Sequence, residues 1–178
     1  MKLTERIIEK CKSDEELLDE LSEELERQIP GEVRQNPEAF VRHIRRLPLG
    51  LRAMAATHQL SVSVTLDDLG WHFANHHSKT YHEETLWGLR ELGAREAADI
   101  FSSSYDLVLP YWDRIGSLVN EDFKLFIEWY NDSELEKALD PLNRKIWDLQ
   151  KHLGHYGLMS YWVVYSRKYP EKVVNIFH

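Results

Sequence analysis

Asp68, His72 and His76 stand at i, i+4 and i+8, so on a helix all three share one face. Two imidazoles one turn apart, with a carboxylate as third ligand, can hold zinc or another transition metal. His77 and His82 lie close by in the chain. One reading of function is therefore a metal-dependent enzyme built on Asp68, His72 and His76. The competing reading is a polar helix end with partly exposed imidazoles. An HxxxH pair without HExxH or a second ligand cluster favours that one. Asp67 and Asp68 could exchange protons as a carboxylate pair, but consecutive helical residues point in different directions, so a helix-start role fits better. Cys11, the sole cysteine, has no histidine nearby in sequence to activate it and reads as a passive thiol. Ser102, Ser103 and Ser104 lie mid-helix without the glycines of a nucleophile elbow, and no phosphate loop or dinucleotide fingerprint is present. No catalytic residue and no cofactor is assigned, and the chain reads more as a binding protein than as an enzyme.

A second constellation is acidic. The stretch Ser13–Arg27 holds Asp14, Glu15, Glu16, Asp19, Glu20, Glu23, Glu24 and Glu26 against Arg27 alone, in a chain whose net charge is −8. Carboxylates at i, i+3 and i+4 repeat at roughly 5 to 6 Å on a helix, on the order of phosphate spacing along one DNA strand. Such an array could occupy the DNA-binding groove of a protein partner, with Asp14, Glu15, Glu16, Asp19, Glu20, Glu23 and Glu24 as the contact residues. The plainer alternative is a solvated face of an amphipathic helix. The one basic run, Arg42–Leu47, is too short to offset the acidity and could pair with the acidic helix inside the fold.

These residues are positioned by a pattern that is helical almost throughout. Ser13 with Glu16 has the form of a capping box, and Leu17, Leu18, Leu21 and Leu25 follow as an apolar stripe. Pro30-Gly31 stops that helix. Asn36-Pro37 opens the next one, with Phe40, Ile44 and Leu47 on its buried face and Pro48 at its end. A helix from about Leu49 to Val64 follows. Its tail alternates at period two, but a lone strand would have no partner. Thr65 with Asp68, and Thr80 with Glu83, suggest further caps, the second opening a helix that closes at Gly93. Ala94 to Leu109 continues helical to Pro110, and Asn120 caps the segment to Tyr130. Ser133 to Leu139 reads as a short helix, and Asp140-Pro141 starts another. The aromatic stretch after Gly154 has helical length. The expectation is an all-α fold: one compact multi-helix domain over 1–178, with about eight to ten helices and an acidic helical segment at 1–30.

Composition supports a packed core. Hydrophobic residues make up 43% of 178 positions, with six tryptophans, which excludes disorder. A pI near 5.6 disfavours direct nucleic-acid binding. Charges come too early at the N-terminus for a signal peptide, and no apolar run is long enough to span a membrane. A cytoplasmic location is expected.

The run LDDLGWHFANHHSKTYHEETLWGLRELGAREAADIF resembles a bacterial family of uncharacterised helical domains whose named representative is a DNA-mimic protein. Gly70 and Trp71 look like the family's Gly-aromatic step, Phe73 its next aromatic and Asn75 its asparagine. Tyr81, Glu84, Thr85, Leu89, Gly93 and Ala94 match the helix that follows. Asp67-Asp68-Leu69 departs from the family's usual asparagine and second glycine. The resemblance places a family-like core at 49–115 and implies a helical fold, a homodimer and no known catalysis. In the mimic, an acidic surface covers the DNA-binding face of a transcription regulator. Here Gly70, Trp71, Phe73 and Asn75 are expected to fix a core turn, Asn75 buried, while the acidity lies outside the matched run.

Overall fold

The computed structural model describes residues 2–174. Twelve α-helices follow one another: α1 (Glu5–Lys10), α2 (Asp14–Gln28), α3 (Gly31–Arg34), α4 (Pro37–Ile44), α5 (Leu49–Leu66), α6 (Leu69–Asn75), α7 (Lys79–Glu91), α8 (Arg95–Val108), α9 (Trp112–Glu121), α10 (Phe123–Tyr130), α11 (Glu134–Leu153) and α12 (Ser160–Lys168). Three short 3-10 turns complete the order, and the described residues contain no strand. The protein is all-α.

Local chemistry sets most boundaries. Ser13 Oγ accepts from Glu16 N–H at 3.1 Å, and Glu16 answers by accepting from Lys12 N–H at 2.7 Å, a reciprocal cap one residue looser than the standard box. Asn36 caps Ala39 N–H at 2.9 Å with Pro37 in the first turn. Elsewhere the boundaries differ from those expected. Ser78, not Thr80, caps α7, and Asp122, not Asn120, caps α10. Asn120 belongs to α9, which buries Trp112, Ile115 and Leu118 at helical spacing. Pro141 does not break the chain: α11 runs through it for 20 residues. Leu135, Leu139, Ile146 and Leu149 are all buried, so one apolar stripe crosses the proline. Pro141 faces solvent, where the carbonyl it leaves without a donor can bond water.

The core has two apolar clusters, and α5 contributes to both. Leu51 and Met54 join Leu17, Leu21, Ile44 and Trp162. Leu60 and Val64 join Phe73, Phe101, Phe126 and Ile146. Helix α7 lies close along α5, and a Cβ on Gly88 would come within 2.9 Å of the Ala53 carbonyl oxygen. Glu84 of α7 is 1% exposed. Its carboxylate accepts from Arg45 Nε at 2.9 Å and from Arg52 Nε. Arg52 also lies 3.7 Å over the Trp87 ring. The basic run Arg42–Leu47 thus places its ion pair at Glu84, and it meets the acidic helix only through His43 Nε2, 2.7 Å from the Gln28 carbonyl oxygen.

A buried carboxylate held by two guanidiniums is costly to break, because removal of one partner leaves buried charge uncompensated. Glu84→Ala is expected to destabilise by about 3–5 kcal/mol, read as a lowered urea midpoint. The exposed neighbour Glu83 serves as control, with Glu83→Ala changing stability by about 0.5 kcal/mol or less.

Candidate functional site

Asp68 begins α6 rather than facing the imidazoles. Its Oδ1 accepts from Trp71 N–H at 2.9 Å, and its Oδ2 accepts from Tyr130 Oη at 3.1 Å. Burial raises its pKa above the usual carboxylate range against those hydrogen bonds. Asn143 of α11, itself buried, accepts from Leu69 N–H at 3.0 Å. Gly70 lies beneath Tyr130: an added Cβ would sit 2.2 Å from the Tyr130 hydroxyl. Trp71 packs on Phe123 and Phe126, and Phe73 is fully buried. Gly70 and Trp71 therefore pack the α6 start against α10, while Phe73 turns to Phe101 and Tyr105 of α8. Asn75 departs from expectation. It is the last residue of α6 and is exposed, with Ala74 taking the inward position.

The histidines do converge, but without Asp68. His72 and His82 are fully buried, and His76 sits beside them, with ring centroids 5.1 Å apart for His72–His76 and 5.4 Å for His72–His82. His72 Nδ1 lies 3.0 Å from Ser63 Oγ. His72 Nε2 and both nitrogens of His82 have no hydrogen-bond partner. Phe73 and Phe101 close around His82 on the apolar side. The carboxylate proposed as third metal ligand is engaged elsewhere because helix α6 needs it as its cap. Among the described residues no three His, Cys, Asp or Glu side chains are arranged to hold a metal ion.

Burial makes these imidazoles poor bases. Desolvation, then the neighbouring His82 and His76, hold His72 well below the ordinary value. Desolvation, reinforced by His76 and His77, pushes His82 down to about 3, and desolvation lowers His76. Cys11 is buried in the core, and burial raises its thiol pKa, away from nucleophilic chemistry.

The acidic helix α2 separates into two faces. Leu17, Leu18, Leu21 and Leu25 are buried. Glu24, expected on the contact surface, is also buried, at 2% exposure. It accepts from Leu3 N–H at 2.8 Å, from Gln28 Nε2 at 2.7 Å and from Arg27. Its position, three residues after Leu21, falls on the apolar stripe, so it anchors the N-terminal segment instead of facing solvent. Asp14 pairs with Arg167 at 3.0 Å. Glu15, Glu16, Asp19, Glu23 and Glu26 are exposed and Glu20 half-exposed. None of these six forms an ion pair among the described residues. The contrast is α10 and α11, where Glu128, Glu134, Asp140 and Asp148 each have a Lys or Arg three or four residues away in the same helix. A shorter acidic stripe lies on α8: Glu96, Asp99 and Asp106, exposed and at i, i+3 and i+10. The signal that could have found it is the spacing, diluted there by Ser102, Ser103 and Ser104.

A family model described as DMP19-like protein matches residues 45–165. No curated protein and no solved structure matches the chain. Among the described residues no helix is long and apolar enough to cross a membrane.

Two outcomes follow from this geometry. Unfolded histidines bind protons near pH 6.5, whereas folded His72, His76 and His82 do so only at lower pH. The unfolded state therefore holds more protons below pH 6.5, and stability falls as pH falls. Between pH 7 and pH 5 His82 alone should cost about 2 kcal/mol, seen as a falling melting temperature, and His82→Phe should flatten that slope. Separately, Gly70→Ala should destabilise by about 1–3 kcal/mol through overpacking against Tyr130. Gly31→Ala, with open space around it, should be close to neutral by the same denaturation assay.

Proposed function

The chain belongs to the DMP19-like protein family, and from that premise we propose that it is a non-enzymatic interaction protein whose acidic helix α2 occupies the DNA-binding face of a basic protein partner. The family takes its name from a DNA mimic protein. The observation that carries the reading is the run of six unpaired carboxylates, Glu15, Glu16, Asp19, Glu20, Glu23 and Glu26. At 1.5 Å per residue they span about 17 Å, close to one charge per 3.3 Å of helix axis. One strand of B-DNA carries a charge per roughly 3.4 Å of axis. A rigid helix presenting charge at that density supplies the field that a phosphate-binding groove is built to meet. Complementary potential raises the association rate and makes binding salt-sensitive.

A second surface is favoured by one observation: the family match begins at residue 45 and leaves α2 outside. The α8 stripe, Glu96, Asp99 and Asp106, lies inside the match. It carries half as many carboxylates over a comparable length, so α2 is the stronger candidate.

The test uses the full chain immobilised against DNA-binding proteins of a bacterial extract. A specific partner should be released by competing duplex DNA, and its affinity should fall at least about tenfold between 50 and 300 mM salt. Changing Glu16, Glu20, Glu23 and Glu26 to Gln, with buried Glu24 left intact, should abolish capture while the melting temperature holds or rises, because repulsion along α2 is relieved. Loss of capture on Asp99→Asn with Asp106→Asn, and not on the α2 variant, would move the interface to α8. Retention by both variants would remove the mimicry reading. Light scattering on the same preparations reports whether the chain pairs with a second copy, as the resemblance implies.

A further inference from the structure

The C-terminal half of α5 and α11 enclose an apolar groove of about 710 Å³, lined by Val62, Leu66, Trp147, Gln150, Tyr156 and Met159 among others. Val62 and Leu66 stand one turn apart on one face of α5. They are 38% and 76% exposed, and Trp147 is 37% exposed. Scattered exposed apolar residues are ordinary, but three along one groove mark a surface that meets something. The groove is braced from within. Gln150 Nε2 donates to Thr65 Oγ1 at 3.0 Å, and its Oε1 accepts from Leu158 N–H at 2.8 Å. One side chain of α11 thus holds both the end of α5 and the 3-10 turn that follows α11. The Trp147 indole N–H is spent on the Asp67 carbonyl oxygen at 3.1 Å, which leaves the ring's apolar face as what it offers. A rim this exposed covers too little of a small molecule, whose sites bury most of the ligand. It suits the side of another chain.

The charge beside the groove decides the chemistry of that chain. On α2, Glu15, Asp19, Ser22 and Glu26 fall at i, i+4, i+7 and i+11, which is one stripe of the helix. Glu16, Glu20 and Glu23 lie roughly 90° further round. The first stripe is the one turned toward the groove. At its C-terminal end, Ser22 and Glu26 share with Phe40, His58, His76 and Trp162 the wall of a cavity between α2, α4, α5 and α7, and His58 lines the groove as well. At its N-terminal end, Tyr156 packs on the apolar cluster that holds Leu18 and Leu25. Desolvation, then Glu15, Asp14 and Asp19, raise the pKa of the Tyr156 phenol. Asp14 is paired with Arg167, whereas Glu15, Asp19 and Glu26 are among the carboxylates of α2 without an ion pair. Lys151, the one lysine or arginine lining the groove, lies 3.7 Å from Asp148. The groove is therefore apolar along its walls and negative along its α2 side.

We propose that the groove and the Glu15–Asp19–Glu26 stripe together dock a basic amphipathic helix of the protein partner, its apolar residues set among Val62, Leu66 and Trp147 and its Lys and Arg side chains turned to the carboxylates. The inference rests on the reading of α2 as a partner-binding surface and adds the apolar contact that charge lacks. Exposed charges steer an encounter but hold it weakly, and apolar area removed from water retains the partner. The occupant is a helix, because the described residues offer no sheet edge to extend and a groove between helices takes apolar anchors at i, i+3, i+4 and i+7. A second copy of this chain would bring a further net charge of −8 to an acidic rim.

The probe is a labelled peptide of about 14 residues, long enough to form a helix, with Leu at i, i+3, i+4 and i+7 spacing and Lys elsewhere. It is titrated into the full chain at pH 7.5 and 150 mM salt and followed by fluorescence anisotropy. Binding should saturate, and a peptide of the same composition in an order with no apolar helical face should bind at least about tenfold more weakly. Val62→Ser with Leu66→Ser alters exposed positions only, so the protein should melt as the parent does while affinity for the probe falls at least about tenfold. Glu15→Gln, Asp19→Asn and Glu26→Gln together should weaken the probe about 3- to 10-fold. Glu16→Gln, Glu20→Gln and Glu23→Gln, on the far stripe, should weaken it about twofold or less. The proposal is overturned if the reordered peptide binds as tightly, which would leave charge alone, or if the serine variant keeps full affinity. It is also overturned if the probe fails to bind and the chain is a dimer that the serine variant dissociates, since a second copy then fills the groove. Its failure is distinct from that of the mimicry reading. A DNA-displaceable partner lost with the α2 carboxylates but kept by the serine variant removes the groove alone, whereas probe binding that needs the groove, with no DNA-displaceable partner, removes mimicry alone.

Discussion

Glu84 fixes the arrangement on which the other helices rest. A carboxylate buried to 1% exposure is stable as a charge only with its counter-charges in place. Those come from Arg45, just past α4, and Arg52, in the first turn of α5. One side chain of α7 thereby holds the ends of two other helices, and Pro48 between them makes the chain turn where the two arginines must diverge. Helix α5 then runs through both apolar clusters, with α2 docked beside its N-terminal half and α6 following its C-terminal end. The acidic surface and the apolar groove are both placed by this helix, the first through the leucines of α2 and the second through Val62 and Leu66.

Buried polar groups in this fold divide into two kinds. Glu24, Glu84, Thr57, Thr85 and Asn143 all have partners, and each joins elements distant in sequence or closes a helical turn. Apart from Ser166 Oγ on α12, those left wanting are His72 at Nε2, the imidazole of His82 and the hydroxyl of Tyr81. These three lie within one patch, at ring separations of 5.4 to 6.4 Å. Satisfied polar groups specify a core, whereas clustered unsatisfied ones are where a fold departs from its own rules. Their neighbour His76 lines the cavity as well, so the unsatisfied patch and the cavity are contiguous.

The all-helical class was legible because amphipathic spacing is local: the leucines of α2 and the cap at Asn36-Pro37 depend on residues a few positions apart. Two boundaries were misread where tertiary packing outweighs a local rule. Pro141 reads as a helix start, yet the stripe from Leu135 to Leu149 gains more from continuous burial than the missing N–H costs. Asn120 reads as a cap, yet the burial of Leu118 keeps α9 going past it. The candidate sites were half legible. Spacing correctly brought His72 and His76 to one face, but it could not show that Asp68 is consumed by capping, nor that His82 replaces it from α7. Glu24 reads as surface by its charge, although its register, three residues after Leu21, places it on the buried stripe. Tyr81 reads from the sequence as a core aromatic and a family match, whereas the surroundings of its hydroxyl are a property of the packed space and not of the chain.

The six carboxylates on α2 stand in like-charged pairs at i, i+3 and i+4, namely 15–19, 16–19, 16–20, 19–23, 20–23 and 23–26. At about 0.2–0.5 kcal/mol each, the repulsion destabilises the helix by roughly 1–3 kcal/mol. Burial of four leucines on the opposite face contributes roughly 6–12 kcal/mol, so the helix survives it with ease. Past the first turn, stability alone would still be better served by a lysine at Asp19, Glu20, Glu23 or Glu26, the arrangement α10 and α11 adopt. Among the described residues the fold draws on only one of these carboxylates, Glu16, which accepts from Lys12 N–H, since Arg27 turns to Glu24 and Arg167 to Asp14. A local penalty with little return inside the molecule is in keeping with the proposed binding role, in which the counterpart of this negative surface would be basic.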